Sequence, residues 1–139
     1  MTMKTHTGSC HCGAVRFEAD IDLAAGTNRC NCSFCTKSRS WFVFVKPEAV
    51  RLLAGADAQT EYQWTPAGRP QPFLHHPFCS TCGVRTFGKT GLEMPGGQLV
   101  FVSVATLDGV SNDELAGAIK YVDGRNDSFE SAPADTRLM

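Results

Sequence analysis

Seven cysteines stand in three tight groups, and no other feature constrains the fold as strongly. The groups are Cys10-His11-Cys12-Gly13, Cys30-Asn31-Cys32-Ser33-Phe34-Cys35 and Cys79-Ser80-Thr81-Cys82-Gly83. Zinc takes four tetrahedral ligands, and thiolate is a favoured donor. Two cysteines one or two residues apart can present both sulfurs to one ion if the backbone turns sharply between them. A following glycine supplies the positive φ that such a turn often needs. The first and third groups both have this form. They are two half-sites that together make one complete four-cysteine site, stapling the N-terminal region to the middle of the chain.

Cys30, Cys32 and Cys35 are left over. Three thiolates can reach one ion but cannot complete a tetrahedron. Structural zinc sites are closed, whereas catalytic ones keep three protein ligands and an open position. The odd cysteine count then divides as four plus three. Three alternatives stay open: buried free thiols, a redox dithiol, although no βαβ pattern surrounds either C-x-x-C, and a second structural zinc completed by His11, His75 or His76.

Thirteen basic and fourteen acidic residues leave a formal net charge of −1. That balance gives no electrostatic footprint for nucleic acid or an anionic membrane. No apolar run approaches the roughly 20 residues that span a bilayer. The opening MTMKTHTGSC has no apolar leader core, so a reducing, cytoplasmic location is expected, where stable disulfides are rare. The 139 residues fit one domain, with an ordered core over 8–127 and an irregular tail.

The periodicity is mainly that of strands. Val15 and Phe17 alternate with Arg16 and Glu18. WFVFVKP, from Trp41, reads as a buried strand, and GGQLVFVSVATLDG as the most central one. VRLLAG, TEYQWTPAG and PFLHHPF supply further extended segments. One helix start is legible: Ser111 with Glu114 three residues on forms a capping box ahead of LAGAI. The fold class expected is mainly β with one short helix.

The cysteine order C-x-C-G, C-x-C-x-x-C, F-C-x-x-C-G resembles the glutathione-dependent formaldehyde-activating enzyme family, which includes the centromere protein V relatives. The matching stretches are GSCHCGAVRFE, CNCSFCTKS and PFCSTCGVRTF, with PGGQLVFVSVATLDG and YVDGRND in the second half. The likeness runs from Gly8 to Asp127. It implies layered antiparallel sheets in the β-tent arrangement shared with methionine sulfoxide reductase B. It implies two zinc ions: a structural one on Cys10, Cys12, Cys79 and Cys82, and a catalytic one on Cys30, Cys32 and Cys35. The implied reaction joins formaldehyde to the thiol of glutathione, giving S-hydroxymethylglutathione, a carbon–sulfur lyase chemistry on a small thiol and a small aldehyde. The family often has a tryptophan where this chain reads NDSFES, near Ser128 and Phe129.

Three thiolates on Zn²⁺ leave a net charge of −1 and a moderate Lewis acid, suited to receiving a further thiolate and lowering its pKa. The H-x-E signature of zinc deaminases is absent beside the clusters. The other class of function is a non-catalytic, zinc-stabilised binding module, for which a histidine or acidic fourth ligand at the trio would speak. Lys37 and Arg39 are candidates to receive a glutathione carboxylate, against a solvated loop. Phe34 either walls the cleft or fills the core. His75 and His76 lie on opposite faces of a strand, so only one can face the site. Asp123, Arg125 and Asp127 make either a polar rim or a charged turn. Trp41 and Trp64 are expected in the core.

Overall fold

The computed structural model describes residues 3–71, 73–91 and 96–139. Pro72 and Pro95, the first residues of PFLHHPF and PGGQLVFVSVATLDG, lie outside the described residues. Among the described residues, ten strands build two sheets. The smaller contains β1 (Lys4–Ser9), β2 (Arg16–Ile21) and β5 (Val50–Ala54) in the order β1-β2-β5. The larger contains β3 (Thr27–Cys30), β4 (Trp41–Val45), β6 (Gln59–Trp64), β7 (Leu74–Cys79), β8 (Phe87–Thr90), β9 (Val100–Ser103) and β10 (Ile119–Val122). Its order is β10-β3-β4-β9-β8-β7-β6. Every pairing is antiparallel except β10 with β3, so the larger sheet is mixed where antiparallel layers were expected. β9 is the middle strand of the seven, and β1 starts at Lys4, ahead of Gly8.

The two sheets face each other across one core. β2 alternates as its sequence requires: Phe17, Ala19 and Ile21 are buried while Arg16 is exposed. They pack against Val43 of β4, Val102 of β9 and Val104. Phe17 meets Phe87 edge to face, with ring centroids 5.3 Å apart. Burial of such side chains contributes about 1.5–3 kcal/mol each, so this seam is the main source of stability outside the cysteines. The apolar run of β4 is not buried throughout: Val43 is, but Phe44 is 47% exposed. Phe42 and Phe44 line a cleft on the sheet's other face. The run is apolar on both sides because one side covers the core and the other walls a cavity.

The capping box forms, with the Ser111 hydroxyl accepting from the Glu114 N–H at 3.2 Å at the head of α2 (Asn112–Leu115). A second helix, not expected from the sequence, is α1 (Ser33–Ser38) inside the middle cysteine group. It has no apolar stripe and no buried residue. Its N-cap is Cys32, whose sulfur accepts from the Cys35 N–H. The cysteines themselves start this helix, which is why hydrophobic periodicity could not show it. No helix among the described residues is long and apolar enough to cross a membrane.

Candidate functional site

The first and third cysteine groups meet in space. The sulfurs of Cys10, Cys12, Cys79 and Cys82 all lie within 4.8 Å of one another. Cys10 and Cys12 sulfurs are 3.7 Å apart, and Cys12 and Cys79 sulfurs 3.6 Å. A tetrahedral zinc with Zn–S near 2.3 Å puts its sulfurs about 3.8 Å apart. The four donors therefore fit zinc by distance as well as by type. Both turns have the same build. Gly13 and Gly83 adopt φ of 83° and 79°, and their N–H groups return to the carbonyls of Cys10 and Cys79. The Val15 N–H donates to the Cys10 sulfur at 3.3 Å. Backbone N–H groups of Cys12 and Val84 pull the Cys82 thiol down to about 6. Those of Cys82 and Thr81 lower Cys79 likewise, whereas Cys12, hydrogen-bonded to the Cys79 sulfur, is pushed up to about 11. Cys79 and Cys82 are thus the sulfurs poised as thiolate, the form a metal binds.

The middle group makes a second cluster. Cys30 ends β3, Cys32 caps α1 and Cys35 lies in its first turn, and their sulfurs fall within 4.8 Å of one another. No histidine, aspartate or glutamate joins this trio among the described residues. The Cys30 and Cys35 thiols donate toward Cys32, as do the N–H groups of Cys35 and Phe34, so the Cys32 thiol is held far below its usual range. Cys30 and Cys35, sharing the remaining protons, are pushed up. Three soft donors on one short loop fit a zinc ion.

The chain after β10 holds this loop. The Asn31 amide donates to Asp123 at 2.8 Å, and the Arg125 N–H returns to the Asn31 side chain at 3.0 Å. The Arg125 guanidinium reaches the Asn31 carbonyl and the Thr36 hydroxyl. Asp123 and Arg125 are thus neither rim nor local charge pair; they brace the cysteine loop. Gly124 lies between them against the cluster. A Cβ there would sit 2.5 Å from the Cys30 sulfur and 3.3 Å from Cys32 Cβ. Asp127 pairs with Arg69 at 2.7 Å.

The trio opens on a cleft of about 420 Å³ between α1, β6, β7 and the face of β4. Its walls are mostly apolar and rich in aromatic rings, with Trp41, Phe44, Trp64 and Phe101 among them. Phe34 stacks on His76 at 3.9 Å and faces Trp64 at 6.1 Å, so it walls the cleft rather than filling the core. Trp41 anchors its indole N–H on Thr27 at 2.7 Å and touches the core from the cleft side. Trp64 faces the cleft as well. Phe129, in the NDSFES stretch, supplies an aromatic ring at the cleft's edge. His75 turns away and pairs with Glu61 at 3.0 Å, whereas His76 is 6% exposed and lines the cleft. Burial and the adjacent Arg85 charge pull His76 down to about 4, so it is neutral at pH 7.

Lys37 is exposed on α1 and does not line this cleft. Arg39 turns to donate to the Leu138 carbonyl at 2.7 Å and lines a neighbouring depression. The cleft's own cations are Arg69 and Arg85. Neither stood out in the sequence, because each lies far along the chain from the trio and in no periodic segment. The one available signal for Arg85 was its place three residues past Cys82.

The model of one protein family, described as glutathione-dependent formaldehyde-activating enzyme, matches residues 5–121. The chain belongs to this family. A protein of Halomonas elongata, named after the same glutathione-dependent formaldehyde activation, is 38% identical over 79 residues. That match covers 54% of this chain and 50% of the relative, so the chain spans about half the length of the curated relative it matches. A crystal structure of a Rhodobacter sphaeroides protein superposes with a TM-score of 0.66 at 30% identity, covering 84% of this chain and 99% of that one. The family match takes in both cysteine clusters and ends at Tyr121, so the Asp123–Arg125 brace lies beyond it.

Proposed function

We propose that the cleft beside Cys30, Cys32 and Cys35 binds glutathione, or a similar small thiol, and a small aldehyde such as formaldehyde. The reaction forms or cleaves an S-hydroxymethyl adduct, a carbon–sulfur lyase chemistry. One observation carries the reading: a three-sulfur cluster, with no carboxylate or imidazole donor grouped with its sulfurs among the described residues, faces an aromatic cleft. Family membership supports the same reading.

Two zinc ions belong to this proposal. The one on Cys10, Cys12, Cys79 and Cys82 is structural. The one on Cys30, Cys32 and Cys35 would, when bound, favour the thiolate form of a substrate thiol at neutral pH. The protein's part is positional. The N-cap of α1 and the Asp123–Asn31–Arg125 brace hold the three sulfurs to one geometry. The aromatic walls exclude water from a reactive aldehyde, and His76 adds no charge to them. Adduct formation makes one sulfur–carbon bond, opens the carbonyl π bond and moves the thiol proton to the carbonyl oxygen. No oxidant or reductant is needed. Cleavage is the reverse.

The binding-module reading is disfavoured by the trio's composition. A closed structural site there would show a fourth protein donor, and none is grouped with it among the described residues. The deciding experiment is exchange spectroscopy on formaldehyde hydrate and S-hydroxymethylglutathione. The wild-type chain is expected to accelerate exchange in proportion to its concentration, and Cys35→Ser to remove the acceleration. Exchange no faster than in buffer would favour the module.

A further inference from the structure

Arg85 is a half-buried cation with no carboxylate partner among the described residues. The cleft has one acidic residue among those described, Asp127, and Arg69 already occupies it. No described carboxylate lies within ion-pair distance of Arg85. The groups it touches are uncharged, and the negative charge that reaches it is that of the cysteine trio, through Cys35. The guanidinium lies 4.7 Å from the Phe34 ring centroid, meets His76 Nδ1 at 3.4 Å and donates to the Ser40 hydroxyl at 2.8 Å. Those contacts use two of its five N–H groups. The other three have no protein acceptor among the described residues.

The guanidinium is also held in place. Ser40 shares a hydrogen bond with the Ser38 hydroxyl at 2.7 Å, and Ser38 donates to the Phe34 carbonyl at 2.8 Å. A fixed fork with free donors matches a carboxylate, which accepts two parallel N–H groups. A partly desolvated cation with unfilled donors is stabilised when an anion joins it. Arg85 further belongs to the wall shared by the cleft and the neighbouring depression. That depression carries Arg29 and Arg39, and its one acid among the described residues, Asp108, accepts from Ser9 at 2.7 Å. The approach on this side is therefore positively charged.

We propose that Arg85 receives a carboxylate of the thiol substrate, so that the site selects acidic thiols of the peptide class over neutral ones. The inference rests on the thiol reading of the cleft. Its rival is that Arg85 only balances the charge of the cysteine trio, in which case the substrate's own charge is irrelevant.

Titration calorimetry of the zinc-loaded chain separates the two. The probes are S-methylglutathione, whose blocked sulfur confines the measurement to the cleft, and its diester, which has no free carboxylate. Wild-type protein is expected to bind the acid at least about tenfold more tightly than the diester. Arg85→Gln should weaken the acid roughly ten- to hundredfold and leave the diester little changed. Arg85→Lys should recover part of the loss. Equal loss for both probes, or no loss, overturns the proposal. If Arg85→Gln does not fold, the wild-type preference alone decides, and a ratio near one overturns it. Wild-type protein that binds neither probe yet accelerates formaldehyde exchange refutes the Arg85 assignment alone. Absence of both binding and exchange refutes the thiol reading with it.

Discussion

Gly124 shows how narrow the tolerance is around the trio. Its missing side chain leaves room for the Cys30 sulfur, and the same backbone segment carries the two residues that brace the loop. Gly124→Ala must displace either the sulfur or the brace, since neither neighbour is the free end of a flexible chain. The expected result is a folded protein whose metal-to-protein ratio falls from about two to about one, measured by elemental analysis. A variant that keeps both metals would show that the loop yields easily. This residue carries no chemistry of its own, so cysteine spacing could not single it out. Arg85 was hidden for a related reason: a lone arginine in a strand-rich chain looks like any exposed cation until the fold half-buries it in the cleft beside the cysteine trio.

At the scale of elements, β8 joins the two halves of the site. It pairs with β7, which carries His76 and leads into Cys79, and with the central β9. Gly88 lies in β8, where a Cβ would run into the His75 carbonyl and the Phe101 ring. Gly88→Ala should therefore lower stability by about 1–3 kcal/mol, the usual cost of forcing extra volume into packed structure. A denaturant midpoint unchanged from wild type would contradict that placement. β2 and β9 were legible in the sequence because burial on one face imposes alternation and burial at the sheet's centre imposes a continuous apolar run. α2 was legible from its cap. α1 was not, because a helix begun by a cysteine cap and tied to the cysteine loop needs no apolar stripe. The apolar run of β4 was read as wholly buried because periodicity cannot distinguish a core from a cleft wall.

For the molecule as a whole, two distant turns close around one set of four sulfurs, and the smaller sheet is held to the larger at that point. The ligand arithmetic was readable from the cysteines alone, and the four-sulfur cluster forms as that arithmetic required. Structural zinc in small peptides is worth about 10–16 kcal/mol, comparable to or greater than the roughly 5–15 kcal/mol that holds a whole domain. Cys82→Ser should therefore abolish soluble folding, as judged by circular dichroism and recovery. A Cys82→Ser chain that kept its fold and its full metal content would refute the structural assignment.

The central claim is that the cysteines divide into a closed four-sulfur site and a three-sulfur site that takes a substrate thiol. Cobalt in place of zinc makes sulfur coordination visible as charge-transfer absorption, so the direct measurement is a titration of the cobalt-loaded chain with glutathione. Absorption from the trio's metal is expected to gain intensity and saturate. Cys35→Ser, which should stay folded with about one metal per chain, is expected to show no such change. An unaltered wild-type spectrum at millimolar glutathione, or the same response in Cys35→Ser, would contradict this claim.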